Sequence, residues 1–278
     1  MNIDLSGKRA LICGATSGIG LACARLMAAA GAQVTLLGRS EKGLAAALAQ
    51  LPALSAGGGG SGGPHGTILA DLAQPDSAAA AVSKALDPAR PFHILINNTG
   101  GPPAGSAIDA EPAALLAAFN SQLLSAHALV RLLLPGFKGA GAGGATGGGT
   151  GYGRVINITS TSVKVPIPNL AISNIIRPAV AAWGKCLATE LGPFGITVNN
   201  ILPGYTATDR LDSIMKGRAA KQSISEEQVR KETIAVTPAG RFGQPDEIAA
   251  AALFLASPLA GYINGINLPV DGGRLGTL

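Results

Sequence analysis

Short apolar runs alternate with longer segments of helical periodicity along the chain. The apolar runs have the length of buried β-strands and cover residues 9–13, 33–37, 66–70, 94–97, 154–159, 197–202 and 266–270. Segments rich in Ala and Leu lie between them, such as residues 19–30, 77–86 and 112–135. This alternation predicts an α/β fold: a doubly wound parallel sheet of about seven strands with helices on both faces. One uninterrupted alternation also predicts a single domain over residues 1–278.

Two glycine-rich stretches interrupt the alternation. Residues 55–66 read SAGGGGSGGPHG, residues 136–153 read GFKGAGAGGATGGGTGYG, and each ends just before a predicted strand. Loops that lead into parallel strands lie at the sheet edge away from the ligand crevice. We therefore expect both stretches to be surface insertions without chemistry, flexible by composition.

Composition narrows the class of protein. The chain is 47% hydrophobic, 4% aromatic and 13% charged, which is typical of a compact enzyme packed with aliphatic side chains. The net charge of +5 comes from scattered basic residues without an aromatic platform, so we expect no nucleic-acid partner. Attraction of an anionic cofactor and substrate is a secondary use for that charge.

The spacing of the cysteines, histidines and apolar residues indicates the cellular compartment and whether a metal binds. Cys13, Cys23 and Cys186 show no paired spacing, which favours a reducing compartment. The three histidines have no metal-ligand spacing, so no metal site is predicted. Without a secretory leader or a run of about 18 apolar residues, the sequence predicts a cytoplasmic protein with no membrane partner.

A glycine loop follows the first predicted strand and opens the first helix. Residues 13–20 read CGATSGIG, with glycines at Gly14, Gly18 and Gly20. Glycines allow a pyrophosphate to approach the backbone closely, and a helix N-terminus offers it free N–H groups. We expect this loop, with Thr16, Ser17 and Ile19, to bind a dinucleotide. The alternative is a turn that serves only helix–strand packing.

Further motifs follow other predicted strands. The dipeptide at Asp71 and Leu72 follows the third strand, residues 97–100 (NNTG) follow the fourth, and residues 203–208 (PGYTAT) follow the sixth. Residues 241–247 (RFGQPDE) and 270–273 (VDGG) lie near the C-terminus. Ligands of open α/β sheets bind at the carboxyl ends of the strands, where the first three of these motifs fall.

One further segment carries the resemblance: residues 154–177 read RVINITSTSVKVPIPNLAISNIIR. Together with the motifs above, this segment resembles the short-chain dehydrogenase/reductase family, and the resemblance covers nearly the whole chain. The C-terminal half is most similar to 3-oxoacyl-acyl-carrier-protein reductases. The resemblance implies a Rossmann-type fold, a nicotinamide cofactor, a carbonyl or acyl-thioester substrate and a homo-oligomer, dimer or tetramer. The cofactor residues that it implies outside the glycine loop are Asp71, Leu72, Asn97, Asn98, Gly100, Arg177, Pro203, Gly204, Thr206 and Thr208.

The strip departs from the family at its proton-transfer positions. The family places a Ser, a Tyr thirteen residues later and a Lys four residues after that, and this chain has Ser160, Ser173 and Arg177. The family's relay Asn, counted back thirteen from Pro135, is Gln122. A serine hydroxyl is a much weaker acid than a phenol, whereas Arg177 keeps its charge but cannot give up a proton. Tyr205, beside the predicted nicotinamide pocket, is a candidate acid or an aromatic wall.

The end of the second strand indicates which dinucleotide binds. Gly38 stands where an acidic residue would hold the ribose 2′-OH, and Arg39 and Ser40 follow it. A guanidinium there pairs with a 2′-phosphate, so NADP(H) is favoured over NAD(H). The alternative is an exposed arginine that contacts nothing.

Two functions remain open from the sequence. A divergent NADP(H)-dependent oxidoreductase is favoured by Ser160, Thr208 and the charge at Arg177. A catalytically silent dinucleotide-binding protein, acting as a sensor or partner subunit, is the alternative. Residues 209–236, a polar helical stretch with interleaved charges, correspond to the family's lid over the substrate.

Overall fold

The computed structural model describes residues 3–54, 63–139 and 151–277 and contains one parallel sheet. Its strands are β1 (Arg9–Cys13), β2 (Gln33–Gly38), β3 (Gly66–Leu69), β4 (Ile94–Asn97), β5 (Gly153–Ile158), β6 (Ile196–Pro203) and β7 (Asn267–Val270). They lie in the order β3-β2-β1-β4-β5-β6-β7. The chain order reverses between β1 and β4, which is where open α/β sheets form their ligand crevice.

Helices cover both faces of the sheet. They are α1 (Gly18–Ala29), α2 (Glu41–Leu48), α3 (Pro75–Ser83), α4 (Pro112–Phe119), α5 (Ser125–Gly139), α6 (Ala171–Leu191), α7 (Asp209–Gln222), α8 (Glu226–Ala235) and α9 (Pro245–Ala256). One core packs α1, α2 and α9 on alternate strand residues such as Ala10 and Ile12. The other packs α3, α5 and α6 on the intervening residues, such as Leu11 and Cys13. The predicted fold class is therefore confirmed.

The helix predicted at residues 112–135 has a different internal structure. It consists of α4, a π-helical turn at Asn120–Leu124 and α5, which continues to Gly139. Residues 136–139 were expected in a surface insertion, but they form the last turn of α5 because Phe137 is buried in the core. Gly66 and Gly153 likewise begin strands, and residues 55–62 and 140–150 of the two predicted insertions lie outside the described residues.

A row of four asparagines crosses the sheet from the buried strand β4 to the exposed edge strand β7. Asn97 donates its side-chain amide to Asn157 (2.8 Å), Asn157 donates to Asn200 (2.9 Å), and Asn200 donates to Asn267 (2.9 Å). The strand register pairs the same residues from β4 to β7. We call this row the asparagine ladder. It satisfies polar groups that would otherwise be buried without partners, which is costly.

The C-terminal motif at residues 241–247 is held together by hydrogen bonds to Glu247. Glu247 accepts hydrogen bonds from both terminal nitrogens of Arg241 (2.7 and 2.6 Å) and from the backbone N–H of Gln244 (2.7 Å), which caps α9. These bonds lower the pKa of Glu247 to about 2. The motif at residues 241–247 thus fixes the start of α9, the helix that packs on α1.

The helical run at residues 112–139 is long and apolar enough to cross a membrane by length and composition alone. Its most apolar window has a mean hydropathy of 1.4 and is one-third buried. In this fold α5 packs on the sheet and α4 packs against α6. Leu116 and Phe119 of the same run stay exposed.

Candidate active site

The glycine loop between β1 and α1 is as tight as its sequence suggested. Gly14 and Gly18 have φ of +56° and +54°, which only glycine adopts without strain. A Cβ on Gly20 would stand 2.3 Å from the Gly14 carbonyl oxygen. The N-terminus of α1 has no side-chain cap and no acidic residue in its first turn. Its N–H groups and positive dipole end are therefore free for a phosphate, so the loop fits a dinucleotide.

The residues after β4 hold this loop in place. Asn98 donates its side-chain amide to the carbonyls of Cys13 (3.3 Å) and Gly14 (3.2 Å). Asn97 begins the asparagine ladder, while Gly100 is exposed at the crevice. The side chains of Asn97 and Asn98 thus bind to the protein itself, and they support the two strand ends between which a dinucleotide would lie.

The end of β2 has the exposed arginine expected for a 2′-phosphate. Arg39 is exposed, and Ser40 caps α2 by accepting from the Gly43 N–H (3.1 Å). Thr16 of the glycine loop packs beneath them, with its methyl group 3.0 Å from where a Cβ on Gly38 would lie. Asp71, after β3, is also exposed and accepts from the Ala73 N–H. Leu72 lies next to it and is half-buried.

Ser160 and Ser173 lie on either side of the loop between β5 and α6. Ser160 lies two residues after the end of β5, and its hydroxyl accepts from the Ser162 N–H at 3.1 Å, which caps a short 3-10 turn. Ser173 lies in the first turn of α6 and is half-buried. Its neighbour Asn174 binds both the N–H (3.0 Å) and the carbonyl (2.8 Å) of Ile167. This pair of bonds fixes the loop that faces the two serines.

Arg177 is buried one helical turn after Ser173. Its Nη1 donates to the Ile158 carbonyl at 2.7 Å, and its Nε has no partner among the residues that the structure describes. Burial and then the charge of Arg210 lower the pKa of Arg177 to about 10, so it remains a cation at neutral pH. It shares a cavity of about 10 Å³, roughly the size of one water, with Gln122 and Thr99. Gln122 Oε1 and Thr99 Oγ1 are also unpaired.

The π turn brings Gln122 to this cavity. The Ser125 N–H bonds to the Asn120 carbonyl across the wide turn, and the Ser125 hydroxyl donates to the carbonyls of Asn120 and Leu72. Turns of this kind are frequent at functional sites. Gln122 and Arg177 are thus brought together, as the residue count had predicted.

The segment after β6 reaches back to the glycine loop. Thr208 caps α7 by accepting from the Leu211 N–H (3.3 Å), and its methyl group lies 3.3 Å from where a Cβ on Gly18 would stand. Thr206 is buried and donates to the Gly204 carbonyl, while Pro203 ends β6. The Tyr205 ring packs against Phe242 (6.5 Å between ring centroids) and under the Arg274 guanidinium (4.6 Å).

Sequence reasoning did not single out Arg210, in the first turn of α7. Its guanidinium lies against Gly101, 3.0 Å from where a Cβ would be, and donates to the Pro102 carbonyl. It therefore links the lid segment to the loop after β4, across the crevice. A positive side chain at a helix N-terminus opposes the helix dipole, and this was the signal available in the sequence.

Comparisons with known proteins agree with this arrangement. A family described as enoyl-(acyl carrier protein) reductase matches residues 14–274. D-beta-hydroxybutyrate dehydrogenase of Cupriavidus necator is 32% identical over 270 residues, covering 97% of this chain and 98% of the relative. The 3-oxoacyl-(acyl-carrier-protein) reductase of Vibrio cholerae is 31% identical over 271 residues, covering 98% of each. L-sorbose reductase of Gluconobacter frateurii, solved with NADPH and L-sorbose, superimposes with a TM-score of 0.85 at 29% identity and full coverage of both chains.

The chain belongs to the short-chain dehydrogenase/reductase family. It is an NAD(P)-dependent oxidoreductase of the kind that acts on alcohols and carbonyl compounds. The resemblance stated from the sequence is thus confirmed at the level of the family. The individual roles of the site residues remain predictions.

Proposed function

We propose that this protein is an NADP(H)-dependent oxidoreductase that interconverts a small carbonyl compound or acyl thioester and its alcohol through an altered proton-transfer site. The observation that carries the proposal is the glycine loop, which leaves no room for a Cβ at Gly20 and faces the uncapped N-terminus of α1. The L-sorbose reductase that superimposes on the chain was solved with NADPH. When bound, that cofactor supplies the hydride for the carbonyl carbon.

The cofactor-binding set surrounds the crevice. The pyrophosphate is assigned to the glycine loop and the N-terminus of α1, and the 2′-phosphate to Arg39 and Ser40. Asp71 and Leu72 would border the adenine, and residues 97–100 together with the segment after β6 would hold the nicotinamide. The residues assigned are Gly14, Thr16, Ser17, Gly18, Ile19, Gly20, Arg39, Ser40, Asp71, Leu72, Asn97, Asn98, Gly100, Arg177, Pro203, Gly204, Thr206 and Thr208.

The reacting oxygen faces Ser160 and the charge of Arg177. Ser160 donates a hydrogen bond to that oxygen, and the Arg177 cation stabilises the negative charge that develops on it. Gln122 completes the cavity around the buried face of Arg177. The proton comes from Tyr205 or from water held at Ser173. This division of roles replaces the family's Tyr and Lys.

A binding titration followed by a turnover screen tests the proposal. Protein fluorescence or NADPH fluorescence measures cofactor binding first. NADPH oxidation is then followed with ketones, quinones and 3-oxoacyl thioesters, for the wild type and for Tyr205→Phe. We expect binding and oxidation with at least one substrate class. Full turnover by Tyr205→Phe would assign the proton to water at Ser173 and not to the phenol.

The changed residues at Ser173 and Arg177 also support a second function, that of a catalytically silent dinucleotide-binding protein. That function predicts NADPH binding without oxidation of any compound in the screen. It further predicts that the double variant Ser173→Tyr/Arg177→Lys gains activity, because the variant restores the family's acid and its cationic neighbour. A loss of activity in the double variant would favour the altered active site.

The choice of cofactor depends on Arg39. We expect Arg39→Ala to weaken NADPH binding by about 10- to 100-fold, since a charge-assisted bond to the 2′-phosphate is lost. NADH binding should change by less than about 3-fold. Parallel titrations of both cofactors measure the difference, with the exposed Arg131→Ala as the matched control. An equal loss for NADPH and NADH would remove Arg39 from the 2′-phosphate site.

The described surface supports a homo-oligomer. Leu116 and Phe119 on α4 and Ile175 on α6 expose 60%, 37% and 51% of their surface, and the two helices pack together. Adjacent exposed apolar side chains are typical of protein–protein contacts. We propose that this face binds a second copy in a dimer or tetramer. We also propose that residues 1–278 act as one domain in the cytoplasm.

A further inference from the structure

Two arginines at the crevice have no acidic partner. The ion pairs within the described residues join Arg218 to Glu232, Arg230 to Asp212 and Arg241 to Glu247, and none includes Arg177 or Arg210. Arg177 is only 8% exposed and leaves its Nε unpaired. A buried cation without a counter-ion is costly, so its retention indicates that an anion binds nearby.

Arg210 approaches the neighbouring strand end from the lid segment. Arg177 reaches the carboxyl end of β5 from α6, through its bond to the Ile158 carbonyl. Arg210 comes from the lid helix α7 and rests on Gly101 and Pro102, after β4. Burial and then the charge of Arg210 lower the pKa of Arg177, so the two guanidinium groups are close enough to interact. β4 and β5 are neighbours, and Ser160 lies two residues after the end of β5.

The groups proposed to bind the cofactor's phosphates lie at other strand ends of the sheet than Arg177 and Arg210. The glycine loop and α1 follow β1, and Arg39 follows β2. Arg177 and Arg210 instead flank the ends of β4 and β5, beside Ser160. Arg210 lies in the first turn of α7, where Thr208 caps the helix and Asp209 and Asp212 offset its dipole, so the guanidinium groups themselves must attract the anion. An anion between the two arginines would therefore be next to the reacting carbon.

We propose that Arg210, supported by the buried charge of Arg177, binds an anionic group of the substrate, so that this enzyme acts on carbonyl compounds that carry a carboxylate or a phosphate ester. The proposal rests on the oxidoreductase function proposed above. Arg210 is then the specificity-determining residue: it donates to the Pro102 carbonyl until the substrate anion replaces that acceptor. Guanidinium groups suit this role because they present several donors in one plane.

Binding to the protein saturated with NADP⁺ tests the proposal without requiring turnover. Calorimetry compares acetoacetate with methyl acetoacetate, and dihydroxyacetone phosphate with dihydroxyacetone. Each pair differs by one anionic group, and the two pairs distinguish a carboxylate from a phosphate ester. We expect the charged member of at least one pair to bind about 10-fold or more tightly than its neutral partner. The proposal is overturned if, in each of the two pairs, the charged and neutral members bind equally or neither member binds.

Variants on the lid locate the effect. We expect Arg210→Gln to weaken binding of the charged probe by about 10- to 100-fold and to leave NADPH affinity within about 3-fold of wild type. Lys216→Gln removes the same charge from an exposed position of α7 and should change neither value. If Arg210→Gln behaves like Lys216→Gln, the proposal is wrong. If it weakens NADPH binding and not probe binding, Arg210 contacts the cofactor instead.

The NADPH titration separates the two proposals. A wild-type protein that binds no NADPH contradicts the oxidoreductase function itself. A protein that binds NADPH but does not distinguish charged from neutral probes retains that function and contradicts only the assignment of the substrate class.

Discussion

Gly20→Ala is expected to abolish measurable NADPH binding, a loss of at least about 100-fold. The added methyl group would lie 2.3 Å from the Gly14 carbonyl oxygen and 2.7 Å from the Asn98 amide nitrogen. Neither neighbour can move alone, because Asn98 binds the carbonyls of Cys13 and Gly14. The loop would have to shift as a unit, and the α1 N–H groups would lose their position against the phosphates.

Fluorescence titration with NADPH measures this loss, and circular dichroism checks that the fold is retained. The control is Gly217→Ala on α7, where a Cβ would meet nothing within 4 Å. Alanine there should bind NADPH normally and raise helix stability slightly, by about 0.5–1 kcal/mol. Similar affinity in the two variants would mean that the loop after β1 does not hold the cofactor.

Asn157→Ala is expected to lower the free energy of unfolding by about 2–6 kcal/mol. Asn157 is the second member of the asparagine ladder and is 1% exposed. Its removal leaves the side-chain amide N–H of Asn97 and the side-chain oxygen (Oδ1) of Asn200 buried without their partners. Each unpaired group costs about 1–3 kcal/mol. Urea denaturation measures the change.

The end of the same ladder supplies the control. Asn267 is exposed on β7, so water replaces its side chain when it is changed to alanine. The Asn200 amide also lies 3.5 Å from the Ala181 carbonyl. We expect Asn267→Ala to cost less than about 1 kcal/mol. Equal costs at Asn157 and Asn267 would show that the ladder does not act through buried hydrogen bonds.

The sheet could be predicted because each strand is recognised from a short stretch of consecutive residues. The five central strands are short apolar runs that are buried on both faces, and such runs stand out from the longer helical segments between them. The glycine loop was predictable for a related reason, since Gly14, Gly18 and Gly20 follow a strand at fixed spacing. Counting residues from Pro135 and Ser160 placed Gln122 and Arg177 in one predicted site, and the two residues line the same cavity.

The asparagine ladder was not predictable from the sequence. Its members are separated by 60, 43 and 67 residues, and they meet only when the strand register is known. The π turn escaped prediction because the apolar periodicity of residues 112–135 is that of an ordinary helix. Arg210 was missed because it lies in a charged lid segment, where a solvated surface is the usual interpretation.

The π turn at Asn120–Leu124 also has a genetic consequence. A π turn holds one residue more than an α turn, and each residue of an α-helix advances the chain by about 100° around the axis. Loss of one codon within this turn would close it into a continuous α-helix, and the faces of α4 and α5 would keep their relative orientation because the π turn only accommodates the extra residue. The wide turn that places Gln122 at the cavity would then be lost, although no residue with a chemical role had been substituted. The length of this segment is therefore constrained during evolution, in addition to the identity of its residues.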